Sequence, residues 1–434
     1  MDAMPPDDRT EVIEHLRKYA LKRMAPEQVR LFLPFVERYY ERVAAEDLVA
    51  RAVPDLFGAA LAHLRLARHR PPGEPVVAVF SPTFDEHGFA CPHTVVQVVT
   101  DDMPFLPDSL TTELTRHGFG MHIAIHPVFE VERGPDGELL AVLGDDEGQP
   151  GEVDTVRESF HHIEIDRQAD ATVFDRLRLD LIRVLGDVRA ANQDQVAMRE
   201  RAVSIAGNLD AEAGTIDRDD REEADFLRWL AEDHFTFLGY REYEIVPGQG
   251  EEMLRAVAGS GLGILRDTDG KVVSHPLSTL PPDVRRKVLG PVLLNLTKAN
   301  SRATVQRGSY LDYVGIKRFD AAGRPVGERR FLGLYTRTVA KQSLFDIPIV
   351  RRKMRAVLDR AADPRHGYEA QVLVDILDNY PRDELLQTGA DDLYSDAIAI
   401  LELQHRQRLR LRVRRDDFGR FFSCFVDLPL GRLT

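Results

Sequence analysis

Two cysteines in 434 residues, Cys91 and Cys424, are too few for a disulfide framework or a zinc-finger-type site. No apolar run approaches twenty residues, so no membrane span is expected. The opening MDAMPPDDRTEV lacks a basic segment followed by an apolar one, which gives no signal peptide and a cytoplasmic expectation. There is no P-loop, no G-x-S-x-G and no zinc-protease helix. The nearest approach to a dinucleotide fingerprint is Gly259, Gly261 and Gly263 in GSGLG. Its spacing is wrong and no βαβ unit surrounds it, so a flexible turn is expected, with no bound cofactor. Basic residues are also short: 57 Lys and Arg against 71 Asp and Glu leave a net charge of −14. That repels nucleic acid and anionic membrane. What is present, 43% hydrophobic and 29% charged residues, is ordinary for a soluble globular protein of two to four domains.

The most informative stretch runs from Thr94 to Arg133, TVVQVVTDDMPFLPDSLTTELTRHGFGMHIAIHPVFEVER. Val95, Val96, Val98 and Val99 read as a central strand, apolar on both faces. Asp101 and Asp102 stop it, with Asp102 expected as N-cap and Pro104 in the first helical turn. Leu106, Leu110 and Leu114 lie at helical spacing, and Gly118 and Gly120 end the helix. Met121, Ile123 and Ile125 then open a second long strand. The acidic turn is a candidate effector site of Asp101, Asp102, Met103, Phe105, Asp108 and Ser109. Its carboxylates suit the amine of an amino acid, and the N–H groups at the helix start suit a carboxylate. Capping alone explains one acid but not the whole turn.

Elsewhere the chain reads as follows. Residues 1–75 form a helical segment closed by Pro71, Pro72, Gly73 and Pro75. Residues 76–195 form the first α/β domain, with an additional strand at 76–80, a polar loop at 144–154, a strand around Phe160–Ile165 and a helix striped by Phe174, Leu177, Leu181, Leu185 and Val188. Residues 196–223 are read as a linker. Residues 224–345 read as one antiparallel sheet of about five strands, with helices between the second and third, a hairpin at Gly323, and Phe237, Tyr313, Ile316, Phe331 and Leu334 buried. Residues 346–408 are a helical connector. From Leu409 a strand alternates apolar residues with Arg408, Arg410, Arg412 and Arg414 and pairs with Phe421–Leu428. Its basic face is expected to be solvated or to meet an acidic domain. His122 and His126 share one strand face, while the adjacent His161 and His162 point to opposite faces. Too few ligands converge for a metal, and none is expected.

The strand, acidic-Pro turn, helix, strand order of 94–133 resembles the opening of an ACT domain, a ferredoxin-like βαββαβ fold. The wording TDDMPFLPDSL followed by HPVFEV resembles, more narrowly, the N-terminal region of the large bacterial NAD-specific glutamate dehydrogenases. WLAEDHFTFLGYREY (229–243), Tyr310–Thr336, YPRDELLQ (380–387) and the final strand pair share the resemblance. It implies a multidomain α+β chain: an ACT-like domain, a PAS-like or ACT-like middle domain, connecting helices, and at 409–434 the start of a further ACT-like domain. It also implies an oligomeric regulatory region, sensing an amino acid, of an enzyme that oxidises L-glutamate with NAD. The catalytic and NAD-binding residues of that family have no counterparts here. A free-standing amino-acid sensor or scaffold built from the same modules is the alternative.

Overall fold

The computed structural model describes residues 8–143, 155–212, 221–248, 251–267, 274–279, 282–361, 370–404, 409–416 and 421–427. The polar loop expected at 144–154, part of the expected linker (213–220) and residues 428–434 lie outside these. The chain divides into two units, residues 1–189 with 304–308, and residues 190–303 with 309–434.

In the first unit four helices precede the sheet: α1 (Asp8–Arg23), α2 (Pro26–Tyr39), α3 (Ala45–Val49) and α4 (Val53–Ala67). Pro26 opens α2, where its missing N–H costs nothing. Phe32, Phe35, Val36 and Tyr39 then form one buried stripe. Next come β1 (Val76–Phe80), α5 (Phe84–His87), β2 (Thr94–Asp101), α6 (Leu106–Arg116), β3 (Met121–Ile125), β4 (Val128–Arg133), β5 (Leu139–Val142), β6 (Thr155–Ile165) and α7 (Ala171–Gln193). The strands make one antiparallel sheet in the order β1–β2–β6–β4–β5, with β3 also on β6. The strand expected at 76–80 lies beside β2, Val77 opposite Val98.

The second long strand, by contrast, is broken. Pro127 has no N–H for the ladder, so β3 stops at Ile125 and β4 starts at Val128. Phe160 donates its N–H to the Pro127 carbonyl at 2.9 Å across the break. The boundary expected at 71–75 does not separate two cores. Phe35 of α2 stacks on Phe129 of β4 with ring centroids 4.8 Å apart, and the helices share one apolar cluster with Val99, Val131 and Phe160. Gly58 lets α4 sit this close, since a Cβ there would fall 2.4 Å from that of Phe89.

The second unit contains α8 (Gln195–Glu212), where a linker was expected. Met198, Ala202, Ile205, Ala206 and Leu209 are buried at helical spacing, and this stripe outweighs the polar composition. After α9 (Arg221–Trp229) come β7 (Phe235–Pro247), β8 (Glu252–Ala256), β9 (Leu262–Gly263), β10 (Ser274–Pro276), α10 (Pro282–Val288), β11 (Leu294–Arg302), β12 (Tyr310–Phe319) and β13 (Pro325–Tyr335). The sheet is antiparallel, in the order β10–β8–β7–β13–β12–β11, with β9 on β7. Seven strands replace the expected five because β9 and β10 are too short to show a period. Phe237, Tyr313, Ile316, Phe331 and Leu334 are buried, as expected. At the hairpin Gly323 has φ +74°, and the Asp320 carboxylate accepts N–H bonds from Ala322 and Arg324.

Helices α11 (Val350–Ala361), α12 (Ala370–Asp378), α13 (Arg382–Gln387) and α14 (Ala390–Gln404) follow. Ile349, immediately before α11, has left-handed backbone at φ +67°. The last elements, β14 (Arg410–Arg415) and β15 (Phe422–Asp427), form a two-stranded ribbon. Of the two expectations for its basic face, solvated or meeting acidic groups, the arginines Arg412 and Arg414 meet acidic side chains. Arg412 is buried against Asp396, Asp427 and Tyr380, and Arg414 pairs with Glu384 at 2.7 Å. Leu409, Leu411, Val413, Phe422 and Val426 are the exposed side.

Candidate functional site

The turn after β2 differs from the expected capped helix start. Asp102 is not the N-cap. Phe105 holds that position in left-handed backbone, φ +74°, without a side-chain cap, and Pro107 rather than Pro104 sits in the first turn. The Asp102 N–H is spent on the Arg157 carbonyl at 2.9 Å, and its carboxylate lies 3.3 Å from the Arg157 guanidinium. Ser109 is buried; its hydroxyl donates to the Phe105 carbonyl at 2.6 Å and accepts from the Gln306 N–H, which belongs to the same unit. Met103 and Phe105 are half-buried and Asp108 is exposed. The six residues are neighbours along one turn.

Of these six residues, Asp101 is the one held by two guanidinium groups. Its two oxygens accept from Arg70 at 2.6 Å and Arg189 at 2.5 Å. Burial pushes its carboxyl up, but the Arg189 hydrogen bond and both cationic charges outweigh that and hold it below the usual range. Behind it Glu158, fully buried, takes Arg70 at 2.9 Å and both arms of Arg133 at 2.6 and 2.7 Å. The result is a charge cluster of Arg70, Arg133 and Arg189 around Asp101 and Glu158.

The sequence-singled histidines separate. His122 is exposed, bonds Asp166 at 2.9 Å and stacks on His93 at 3.8 Å. His126 faces His161, whose pKa burial pushes down to about 3, with the nearby His126 adding to the shift. His162 bonds Gln97 and Glu164. Sequence reading missed His63, which lies between the Tyr39 hydroxyl at 2.9 Å and the Val98 carbonyl at 3.1 Å. The carbonyl can only accept, so Nε2 carries the proton and Nδ1 receives the Tyr39 O–H. Burial and the nearby His162 hold His63 well below its ordinary pKa.

Sequence reading also missed a meeting of Cys91, His93 and Glu164, whose only signal was the C-P-H spacing. Arg51 gives both terminal nitrogens to Glu164, His93 lies 2.8 Å from it, and Cys91 is buried nearby. Burial pushes the Glu164 carboxyl up, yet hydrogen bonds from His162, Arg51 and His93 hold it far below its usual value. A second group, Glu113, His117 and Asp180, joins α6 to α7.

The GSGLG glycines do not fit a dinucleotide. Gly263 (φ +60°) lies so close to β7 that a Cβ would fall 2.1 Å from the Leu238 carbonyl. Its N–H is taken by Asp194 at 2.7 Å, so the glycines serve packing rather than a pyrophosphate.

Residues 35–181, which hold this sheet, turn and helix, match the ACT1 domain of glutamate dehydrogenase. Residues 347–406 match glutamate dehydrogenase helical motif 1. The relatives that the chain resembles over nearly its whole length are NAD-specific glutamate dehydrogenases. It is 36% identical over 423 residues to that enzyme of Halomonas elongata, covering 97% of this chain and 26% of the relative. Identity is 33% over 422 residues with the Pseudomonas aeruginosa enzyme (97% and 25%), and 31% over 376 residues with that of Mycobacterium tuberculosis (86% and 22%). The chain thus spans about a quarter of the length of the curated relatives it matches. The ACT1 match begins inside α2, consistent with the core that α2 shares with the sheet.

Proposed function

We propose that this chain is the non-catalytic, N-terminal regulatory and assembly region of a NAD-specific glutamate dehydrogenase. The full enzyme would convert L-glutamate, NAD and water to 2-oxoglutarate, ammonia and NADH, in the cytoplasm and as a homo-oligomer. The observation that carries this is the coverage: almost all of this chain aligns to about a quarter of each relative. The poor fit of GSGLG to a pyrophosphate supports it. The middle sheet, four strands of which β9 and β10 are very short, then α10, then three strands, supports a PAS-like module. Ribbon β14–β15 supports the start of a further ACT-like domain.

An amino-acid effector is placed at Asp101–Ser109. The committed oxygens of Asp101 favour a second reading, in which the turn serves assembly only. Two measurements test the proposal. The purified chain is expected to produce no NADH from glutamate and NAD; turnover above a blank overturns the non-catalytic assignment. Calorimetry with the twenty amino acids is expected to give heat from at least one, reduced roughly tenfold in affinity by Asp102→Ala, since a charged hydrogen bond contributes about 1.5–3 kcal/mol. No heat from any of them, with the chain folded, leaves the assembly reading.

A further inference from the structure

The loop entering β2 brings Cys91 and His93 to the end of β6, where Glu164 is buried. One donor atom of each lies within 4.8 Å of the other two. We propose that Cys91, His93 and Glu164 form a site for a zinc-class divalent cation, with Arg51 as the counter-charge that holds Glu164 when no cation is bound.

Four observations carry this. First, the donors are a thiol, an imidazole and a carboxylate from three side chains, a set that suits borderline-soft Zn²⁺ rather than Mg²⁺ or Ca²⁺. Second, the spacing fits. Bonds of about 2.0–2.3 Å place tetrahedral ligand atoms roughly 3.3–3.8 Å apart, so small side-chain rotations suffice. Third, the imidazole is oriented from outside. His122 stacks on His93 at 3.8 Å with rings 6° from parallel, and Asp166 holds His122 at 2.9 Å while accepting the Gly120 N–H at 2.7 Å. Fourth, a cavity of about 20 Å³ borders Cys91 and Glu164 and is lined also by Asp47, Asp55 and His162, which leaves room for about one water as fourth ligand.

Arg51 is the competitor. It holds both Glu164 oxygens, so a cation must take one of them while Arg51 keeps the other. The group of Glu113, His117 and Asp180 is the weaker candidate. It has no sulfur donor, and Arg116 and Arg183 reach Glu113 at 2.5 and 3.6 Å.

The test uses the whole chain carrying Cys424→Ser, which removes the exposed second thiol. Cobalt(II) is titrated and the near-ultraviolet thiolate-to-cobalt charge-transfer band is read. The expected result is one cobalt per chain, displaced by zinc. Cys91→Ser should abolish the band, and His93→Gln should weaken binding at least about tenfold. Arg51→Gln should tighten it, which a purely structural Arg51–Glu164 pair would not do. A second readout needs no substitution at the site: zinc should slow alkylation of Cys91 at least about tenfold. No band from the folded chain, a band that survives Cys91→Ser, or an alkylation rate indifferent to zinc overturns the proposal.

Discussion

Strands β2 and β14 bury opposite chemistry. In β2 every residue from Thr94 to Thr100 is buried, four of them valines, and the polar Gln97 is satisfied by its amide donating to the Ala59 carbonyl at 3.0 Å. In β14 it is Arg412 that is buried, while Leu411 and Val413 are 61% and 55% exposed. What differs is the neighbour. Strand β2 has α4 on one face and a strand on each side, so burying apolar area is the dominant gain. Strand β14 has one partner strand among the described residues, and Asp396 and Glu384 stand beside its arginines. A period-2 pattern shows that two faces differ; the charges already present nearby decide which face turns inward.

The largest effect that sharpens this contrast is at the ionic cluster beside β2. Glu158→Ala would leave Arg133 buried without a carboxylate and Arg70 with Asp101 alone, at a cost of about 3–5 kcal/mol by urea denaturation of the first unit. A loss under about 1 kcal/mol would show that water reaches those guanidinium groups.

A smaller effect concerns pH. His161, at about 3 in the folded chain, has a pKa near 6.5 when unfolded. The unfolded chain therefore takes the proton first, and the stability His161 contributes is present above pH 6.5 and lost as pH falls toward 3. Between pH 6.5 and 5 that is about 2 kcal/mol, and His63, shifted in the same direction, adds to the loss. The urea midpoint of the first unit should fall over this range, and His161→Gln should flatten the fall. A midpoint unchanged between pH 7 and pH 5 would contradict the buried, neutral rings.

The smallest effect belongs to the ribbon. Val413→Thr, on its exposed face, should change stability by no more than about 0.5 kcal/mol, a magnitude ordinary for surface positions. A thermal melt showing a loss of about 2 kcal/mol would mean that this face is covered in solution.

Much of the architecture is legible in residues. The four valines of β2, the leucine stripe of α6 and the Gly118 that ends it, at φ +81°, follow from local rules. So do β12 and its hairpin at Gly323. Helix α8 is less so, because Gly207, Asp210 and Glu212 mask a five-residue buried stripe. The break at Pro127 and the left-handed Phe105 were present as signals, a proline inside a strand pattern and two prolines flanking an aromatic. Asp101 and Glu158 were not legible in this sense. Their partners Arg70, Arg133 and Arg189 come from other elements, and no local spacing encodes such a meeting. The same holds for Glu164, 71 residues from His93.

The Glu158 cluster also bears on the order in which the first unit assembles. Arg133 lies 25 residues from Glu158, whereas Arg70 lies 88 away. Loop-closure entropy makes the longer contact about 1 kcal/mol harder to form. The β4–β6 pairing can therefore bring Arg133 to Glu158 while Arg70, at the end of the helical segment, is still free. The first guanidinium prepares the carboxylate for burial, and the second closes the loop of 71–157 around it. Arg70 thus acts as a latch set late, whose loss should speed unfolding more than it slows folding.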